Sequence, residues 1–348
     1  MHGVLLTVLL GVSVPVPGPD GWGPGDERGN GNTQSNATRQ RCAMYLLDPR
    51  SQVYELGHEL SATMPQGPFG DAPVSITHTP TAGIPFTRHA GNGEVFSGGL
   101  GSQGTQMDAL GHFGYLEEAW PGPETGPFPA DAVRYYNGFT QSQVKPTQDS
   151  RLLKLGMDKV PPVVTSAVML DIARLRGRAL NAGELVTRAD LEAALSVQHL
   201  SWRGVLPGDA ILVHTGWGKK WVDPAAPNQA EYYSEGPGLA VDAQDYLAAR
   251  TVVLMALDNP FTDPVRSCQL TGACPPPPGT KPGLPFNVHH NNLARDGIYQ
   301  LQNMKLDQMA EDGVYLSCII VLPLRISGAA GSAVRPIAVG PPTARPAR

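Results

Sequence analysis

The sequence predicts an α/β fold, because apolar strand segments alternate with helical segments in the second half of the chain. Residues 187–198 begin with a capping threonine and carry an apolar stripe of Leu191, Ala194 and Leu195, as an amphipathic helix does. Residues 251–257 are apolar and partly β-branched, which is typical of a strand buried on both faces. Strands of this kind belong to sheets that helices cover.

The other elements follow from apolar runs between glycine and proline residues, which punctuate secondary structure. In chain order we expect a first structured stretch at residues 52–60, loops with short strands at 62–93, a strand at 167–170, a turn at 207–209, a strand at Ala210–His214, a helix at 242–250, and strands at 318–324 and 334–339. The proline run at residues 275–278 indicates a surface insertion in a loop.

The N-terminal region differs in composition from the rest of the chain. Residues 4–14 are almost continuously apolar, which suits either the h-region of a signal peptide or an apolar strand, and they are too few to span a bilayer. Residues 15–41 are rich in Gly, Pro, Asn, Gln and Ser and predict an irregular arm. We therefore assign residues 1–41 to this N-terminus, 42–340 to one domain and 341–348 to a tail.

The four cysteines contain no Cys-x2-Cys pair, which excludes a zinc finger. Cys268 and Cys274 flank a short loop that a disulfide could close. Cys42 and Cys318 are either paired or buried thiols, and the apolar run around Cys318 favours a buried thiol there. Paired cysteines and the glycosylation sequon at residues 36–38 favour a secreted or periplasmic location over a cytoplasmic one.

The charge balance limits the classes of partner. The formal net charge is −5 and the pI about 6.0, so the chain offers no basic field for nucleic acid. We expect a small-molecule substrate, and neither nucleic acid nor a membrane as a partner.

The segment from Gln106 to His112 is the most informative for chemistry. In an extended strand Gln106 and Asp108 point to the same face, and His112 follows a short turn later. Two oxygen ligands on one face with a nearby imidazole suit a partial metal cage. The alternative is a glycine-rich hairpin whose Asp and Gln side chains bind the turn backbone.

Residues 102–112 read Ser-Gln-Gly-Thr-Gln-Met-Asp-Ala-Leu-Gly-His, and other short blocks accompany this segment along the chain. Those blocks lie at residues 22–29, 55–61, 208–217, 236–239, 257–259, 288–289, 297–303, 323–326 and 328–336. Together they resemble the cyclase family of metal-dependent hydrolases, which includes bacterial kynurenine formamidase and isatin hydrolase. The family pattern for the first segment is His-x-Gly-Thr-His-x-Asp-x-x-x-His. The resemblance extends over roughly residues 22–340, with the blocks in the family's order.

The resemblance implies a single domain of the swivelling β/β/α type, with a mixed sheet or barrel-like core and flanking helices. It also implies a homo-oligomer, because family members are dimers or tetramers. The implied cofactor is a divalent metal ion, most often zinc or manganese. The implied reaction is hydrolysis of a small amide, lactam, lactone or aryl formamide by metal-activated water.

The implied site combines matches with departures. Gln106, Asp108 and His289 are the implied metal ligands, and His112 stands where the family has its general base. Ser102 and Gln106 replace the two family histidines, which shifts the preference toward harder ions. The chain is closest to a branch resembling trans-dienelactone hydrolase, which has Gln at both histidine positions, although Ser102 departs from that pattern as well. Further candidate ligands are Gln103, if the frame slips by one residue, and Gln302, where the family usually has Glu.

Three further residues are pocket candidates. His214 and Trp217 follow a predicted strand and either line the pocket or pack, and Asp258 follows another strand and either functions or caps its loop. Two other functions stay open. One is a metal-poor cyclase or dehydratase acting on a hydroxylated or polyketide-like substrate, and the other is a non-catalytic relative that binds a small molecule.

Overall fold

A nine-stranded mixed sheet organises this computed structural model, which describes residues 13–18, 21–67, 72–224, 230–270 and 273–343. The strands are β1 Gln52–Glu55, β2 Ser75–His78, β3 Ala82–Gly83, β4 Ala90–Gly91, β5 Glu94–Ser97, β6 Gln106–Asp108, β7 Val163–Asp171, β8 Leu185–Val186, β9 Ala210–His214, β10 Gly238–Leu239, β11 Leu254–Leu257, β12 Tyr299–Gln302, β13 Leu316–Val321, β14 Gly331–Ala333 and β15 Ile337–Gly340. The large sheet has the order β1-β15-β13-β7-β9-β11-β12-β6-β14.

Helices flank this sheet. They are α1 Asn36–Leu46, α2 Gln141–Val144, α3 Ile172–Arg176, α4 Arg188–Val197, α5 Ala230–Ser234, α6 Val241–Ala248, α7 Ser267–Leu270, α8 Asn287–His289 and α9 Asp307–Asp312, and a π-helix, His290–Asp296, continues α8. Strands β7, β9, β11 and β12 are parallel, and the remaining pairs in the large sheet are antiparallel. This arrangement confirms the predicted α/β fold with a mixed sheet and flanking helices.

Each face of the sheet packs into its own core, because side chains alternate between faces along a strand. Leu212 and Leu301 belong to one core, together with Met107 from β6. Ile211 and Leu257 belong to the other core, which α4 and α6 cover. The alternation of the central strands therefore fixes which polar side chains can meet at a given face.

The predicted central elements are confirmed, with changed boundaries. Strand β9 has the predicted limits, and α4 begins after Thr187, whose side chain forms a capping box with Asp190. Strand β7 is longer than predicted because Val163 to Ser166 also pair with β13. The loops with short strands expected at 62–93 contain β2, β3 and β4, and most side chains there are exposed.

The N-terminal arm is a correction. The prediction of irregular structure up to residue 41 is wrong from Asn36 onward, because α1 begins there with a capping box between Ser35 and Thr38. Helix α1 has no apolar stripe and packs through the small residues Ala37, Thr38 and Cys42 against β7 and β13. Its sequence therefore lacks the periodicity that identifies surface helices. Residues 4–12 of the apolar stretch and 344–348 of the tail lie outside the described residues.

The cysteines give one confirmation and one correction. Cys268 and Cys274 form the predicted disulfide. Cys42 and Cys318 are not thiols but form a second disulfide, which ties α1 to β13 across a sequence separation of 276 residues. No sequence spacing predicts that pair, since only the folded sheet brings the two residues together. Within the described ranges, no helix is long and apolar enough to cross a membrane.

Candidate active site

Strands β6 and β12 bring four polar side chains to one face of the sheet. The two strands are antiparallel, with Gln106 opposite Gln302 and Asp108 opposite Gln300. Their neighbours Met107 and Leu301 point into the core on the other face. All four polar side chains are buried, with at most 8% of Gln106 exposed. The predicted alternation of Gln106 and Asp108 on β6 is what aligns them.

Asp108 is the charged centre of this group. Its Oδ2 accepts hydrogen bonds from Gln302 Nε2 at 2.7 Å and from Gln300 Nε2 at 3.4 Å. Among the described residues, its Oδ1 has no hydrogen-bond partner, and neither do Gln106 Oε1 and Gln302 Oε1, although all three atoms are buried. A buried acceptor without a partner costs about 1–3 kcal/mol. Three such oxygens in one group therefore indicate a place that a cation, water or a donor ligand occupies.

His289 adds one nitrogen to the group. Its Nδ1 lies 2.6 Å from Asp263 Oδ2, and its Nε2 lies 3.3 Å from Gln302 Nε2 and 3.9 Å from Asp108 Oδ2. Burial lowers the pKa of His289, but the hydrogen bond and charge of Asp263 outweigh burial and leave that pKa above its ordinary value. Asp263 also accepts from the backbone N–H groups of Val288 and His289, at 2.6 and 3.0 Å. The carboxylate thus fixes the ring so that Nε2 lies beside Gln302 and Asp108.

The donor set fits a hard divalent cation. It offers one carboxylate oxygen, two amide oxygens and one imidazole nitrogen, from Asp108, Gln106, Gln302 and His289. Among the described residues, no group of three His, Cys, Asp or Glu side chains could hold a metal ion by itself. A cation held by this group would therefore need amide oxygens as ligands, and oxygen-rich sites prefer manganese or magnesium more strongly than sites with several imidazoles do.

An open cleft of about 850 Å³ is separated from this group by two aromatic rings that contact His289. Phe113 and Phe286 line the cleft and lie with their ring centroids 5.5 and 5.9 Å from that of His289. Tyr115, also in the cleft wall, meets the ring of His290 edge to face at 4.9 Å. The volume lies in the range of small-molecule sites, which are about 300–1,000 Å³.

The predicted general base lies outside this buried group. His112 ends a short turn, Leu110–His112, and its side chain is exposed. Its ring centroid is 6.3 Å from that of Phe113 in the cleft wall. In the described part of the chain, its side chain has no hydrogen bond or ion pair.

Neither Ser102 nor Gln103 forms a hydrogen bond with Asp108 among the residues that the structure describes. Ser102 Oγ donates to the carbonyl of Gly99 within its own turn. The Gln103 amide is occupied by the backbone of Gly67, since Oε1 accepts from the Gly67 N–H at 2.7 Å and Nε2 donates to its carbonyl at 3.3 Å. Gln302, in contrast, touches both Asp108 and His289.

The pocket candidates His214 and Asp258 form a different cluster on the opposite face of the sheet. His214 Nδ1 lies 2.8 Å from Asp171 Oδ1, and its Nε2 lies 3.4 Å from Asp307 Oδ1 and 3.9 Å from Asp258 Oδ2. Burial lowers the pKa of His214, but these carboxylates outweigh burial and raise it to about 10. Asp258 caps its neighbouring loop, accepting from the backbone N–H groups of Thr215 and Gly216.

Trp217 packs away from the cleft. Its ring is buried beside Tyr232 and Tyr233, and Lys220 Nζ lies 3.8 Å above it. It is therefore a packing residue and not part of the cleft wall in this structure.

Three site residues, Thr262, Asp263 and Gln300, were not identified from the sequence. Thr262 Oγ1 donates to Gln300 Oε1 at 2.6 Å, which helps to direct the Gln300 amide nitrogen at Asp108. Strand alternation gave a signal for Gln300, because it stands two residues before Gln302. No such pattern marks Thr262 or Asp263, which lie in a loop after β11.

Comparisons with known proteins agree with this architecture. The family model described as "Putative cyclase" matches residues 54–264, more than half of the chain. The comparison with curated protein sequences gave no match. Among solved structures, one described as a novel cyclase is 26% identical, covers 91% of this chain and 95% of its own, and has a TM-score of 0.72.

Two isatin hydrolases share the fold at lower identity. The one from Ralstonia solanacearum is 23% identical, with a TM-score of 0.56 and coverage of 85% of this chain and 95% of its own. Another, bound to the product analogue thioisatinate, is 21% identical, with a TM-score of 0.53 and coverage of 86% and 96%. With the family match over residues 54–264, which includes Gln106 and Asp108, the chain belongs to the cyclase family.

Proposed function

We propose that this protein is a metal-dependent hydrolase that acts on a small amide, lactam, lactone or aryl formamide. The observation that carries the proposal is the set of three buried oxygens without partners, on Gln106, Asp108 and Gln302. An apolar or purely structural role gives no reason for leaving three acceptors unpaired on two neighbouring strands. Membership in the cyclase family supports the same conclusion.

Gln106, Asp108, Gln302 and His289 would hold the ion, through three oxygens and Nε2 of the imidazole. A bound divalent ion lowers the pKa of water and polarises a carbonyl, which is what hydrolysis at neutral pH requires. Asp263 keeps the proton of His289 on Nδ1, so that the Nε2 lone pair faces the site. Gln300 and Gln302 hold Asp108 Oδ2 and leave Oδ1 free.

The cleft wall orients the substrate in this proposal. Phe113, Tyr115 and Phe286 offer aromatic faces next to His289 and His290, which suits a substrate that carries a ring. His112 is the proposed general base, and its exposure allows it to exchange protons with solvent. Its ring must come within hydrogen-bond reach of the reacting water when substrate is bound.

A metal-dependence assay tests the proposal. Protein stripped with chelator is reloaded with Mn²⁺, Zn²⁺ or Mg²⁺ and assayed on lactones, aryl formamides and isatin, with metal content measured in parallel. We expect near-stoichiometric metal and activity that returns with the metal, most strongly with Mn²⁺ or Zn²⁺. Folded protein that binds no ion and hydrolyses none of these substrates would overturn it.

A second candidate is a metal-poor cyclase or dehydratase acting on a hydroxylated substrate. The observation that favours it is the single carboxylate among amides, with Ser102 and Gln106 where the family has histidines. In that case the three free oxygens accept hydrogen bonds from substrate hydroxyls. Turnover that chelator does not affect would select this function, and binding without turnover would select the non-catalytic relative.

We also propose that the protein is a homo-oligomer, a dimer or a tetramer. The hairpins from β2 to β5 expose the apolar side chains of Ile84, Phe86 and Val95, which is consistent with a second subunit covering them. Light scattering coupled to size exclusion measures the mass directly, and a monomer at micromolar concentration would contradict this.

A further inference from the structure

A chain of buried side-chain amides connects a surface ion pair to Asp108. Arg295 Nη2 donates to Gln244 Oε1 at 3.0 Å, and Gln244 Nε2 donates to Asn292 Oδ1 at 3.0 Å. Asn292 Nδ2 then donates to Gln300 Oε1 at 2.9 Å, and Gln300 Nε2 donates to Asp108 Oδ2 at 3.4 Å. Every link runs from an N–H group to an oxygen in the same direction.

The two ends of the chain determine that direction. An arginine can only donate hydrogen bonds and a carboxylate can only accept them, whereas an amide can be turned either way. Gln244 is fixed most firmly, because Oε1 also accepts from Asn291 Nδ2 at 3.0 Å and Nε2 also donates to Asp296 Oδ2 at 2.8 Å. Both donors and both acceptor positions of this amide are therefore used.

Burial makes the direction of each link consequential. Gln244, Asn292 and Gln300 are fully buried, as is Asp108. Reversing one amide would therefore place a donor against a donor or an acceptor against an acceptor, where solvent cannot supply the lost hydrogen bonds. The π-helix His290–Asp296 supplies Asn292 and Arg295 to the chain. Such wide turns occur often at functional sites.

We propose that Gln244, Asn292 and Gln300 are positioning residues. Through successive hydrogen bonds from Arg295 at the surface to the buried Asp108, they determine which carboxylate oxygen of Asp108 remains available to a ligand. Arg295 and Asp296 orient Gln244, and Gln244 orients Asn292. Asn292 and the Thr262 hydroxyl then both contact Gln300 Oε1, so that Gln300 presents its N–H to Oδ2; of these two, only the amide has a fixed donor. Oδ1 then stays free for the cation of the proposed function. The inference rests on the proposed function only where it concerns metal binding, since the orientation of Gln300 can be observed in metal-free protein.

Two variants of Gln244 distinguish the loss of a hydrogen bond in this series of amides from the reversal of the hydrogen-bond direction. Gln244→Met removes the link, so Asn292 and Gln300 keep their places but lose the anchor that directs them. Gln244→Glu stays next to Arg295 but can donate neither to Asn292 nor to Asp296, whose carboxylate it would then oppose. We therefore expect Asn292 and Gln300 to turn over, so that Gln300 presents an oxygen to Asp108. We expect Gln244→Glu to be the more damaging variant at the site.

The first readout is the ¹H–¹⁵N side-chain resonance of Gln300 in metal-free protein, assigned with a Gln300→Met variant. We expect it to move in both Gln244 variants, and further in Gln244→Glu. The second readout is Mn²⁺ affinity, for which we expect a loss of about 10- to 100-fold in Gln244→Glu and a smaller loss in Gln244→Met.

Gln198→Glu is the matched control. Gln198 is also a buried amide that donates through Nε2 and accepts at Oε1, but its partners are the backbone groups of Met169 and Asp171. This variant should lose stability and leave both readouts unchanged. A Gln300 resonance that stays in place in folded Gln244→Glu, or that moves as much in Gln198→Glu, would overturn the proposal. If the wild-type protein binds no Mn²⁺, the proposed function fails while the resonance still decides this inference.

Discussion

Two histidine–carboxylate pairs lie on opposite faces of the sheet. In each pair Nδ1 of the ring contacts the carboxylate, and the pairs differ in the groups that surround Nε2. His289 is held by Asp263 at 2.6 Å, and His214 is held by Asp171 at 2.8 Å. The Nε2 of His289 lies beside Gln302 and Asp108, each of which has one buried oxygen without a partner among the described residues. The Nε2 of His214, in contrast, lies 3.4 Å from a further carboxylate, that of Asp307. The cluster around His289 therefore has acceptor atoms available for a ligand, whereas in the cluster around His214 the imidazole and the carboxylates pair with one another.

This contrast separates a site from a structural cluster. Asp258, in the second cluster, directs both oxygens at hydroxyl and backbone donors of Thr215 and Gly216. Asp108, in the first, keeps one oxygen unused. Buried titratable groups alone therefore do not distinguish the two clusters, because both have them; the unpaired carboxylate oxygen of Asp108, among the described residues, does.

The largest effect is expected from Asp108→Asn, which removes the only anionic ligand. The variant keeps the shape of the side chain, so the fold should persist with a melting temperature near that of the wild type. Metal binding and hydrolysis should fall at least 100-fold, because the charge that compensates the cation is lost. Metal content and kcat/KM measure this loss. An active, metal-loaded Asp108→Asn protein would contradict the assignment of the site.

The two histidine–carboxylate pairs allow a matched comparison by Asp263→Asn and Asp171→Asn. An asparagine at 263 removes the charge that holds the proton on Nδ1, and its single oxygen cannot accept from the ring and from the backbone N–H groups of Val288 and His289 together, so the ring loses its orientation. We expect Asp263→Asn to lower Mn²⁺ affinity about 10- to 100-fold. Asp171→Asn should leave that affinity unchanged but lower the free energy of unfolding by about 3–5 kcal/mol.

Chelator competition and urea denaturation give these two quantities for each variant. Equal losses of Mn²⁺ affinity in both variants would remove the distinction between the clusters.

The charged state of His214 gives a pH-dependent stability. Its pKa is raised to about 10 in the folded protein, above about 6.5 in an unfolded chain, so the folded state binds the proton more tightly. The resulting stabilisation is full below about pH 6.5 and is lost as the pH rises through about 10. Urea denaturation of wild type and His214→Gln should differ most near pH 6 and least near pH 10. A difference that grows with pH would refute a charged His214.

The sequence was sufficient for the parts of the fold that depend on local pattern. The capping threonine of α4 and the apolar run of β9 identify those elements by themselves. Helix α1 and the Cys42–Cys318 disulfide were missed because burial against β7 and β13, and not periodicity, stabilises them.

The site was predictable where the ligands share a strand or a family motif. Alternation on β6 aligns Gln106 with Asp108, and the family resemblance pointed to His289 and Gln302. Asp263 was not predictable, since only the packing of its loop against α8 brings its carboxylate to His289.

The smallest effect, and the sharpest test of the site's chemistry, is expected from Gln106→His. An imidazole is a better ligand than an amide oxygen for zinc or manganese, so the affinity for these ions should rise about tenfold or more. The change restores a family histidine at a position with ordinary strand geometry, and the fold should tolerate it. Activity should nevertheless fall modestly, because a more electron-rich ligand set makes the ion a weaker Lewis acid. Competition with a chromophoric chelator compares the two proteins directly. Unchanged affinity would mean that residue 106 does not face the ion, and the site would then comprise Asp108, Gln302 and His289 alone.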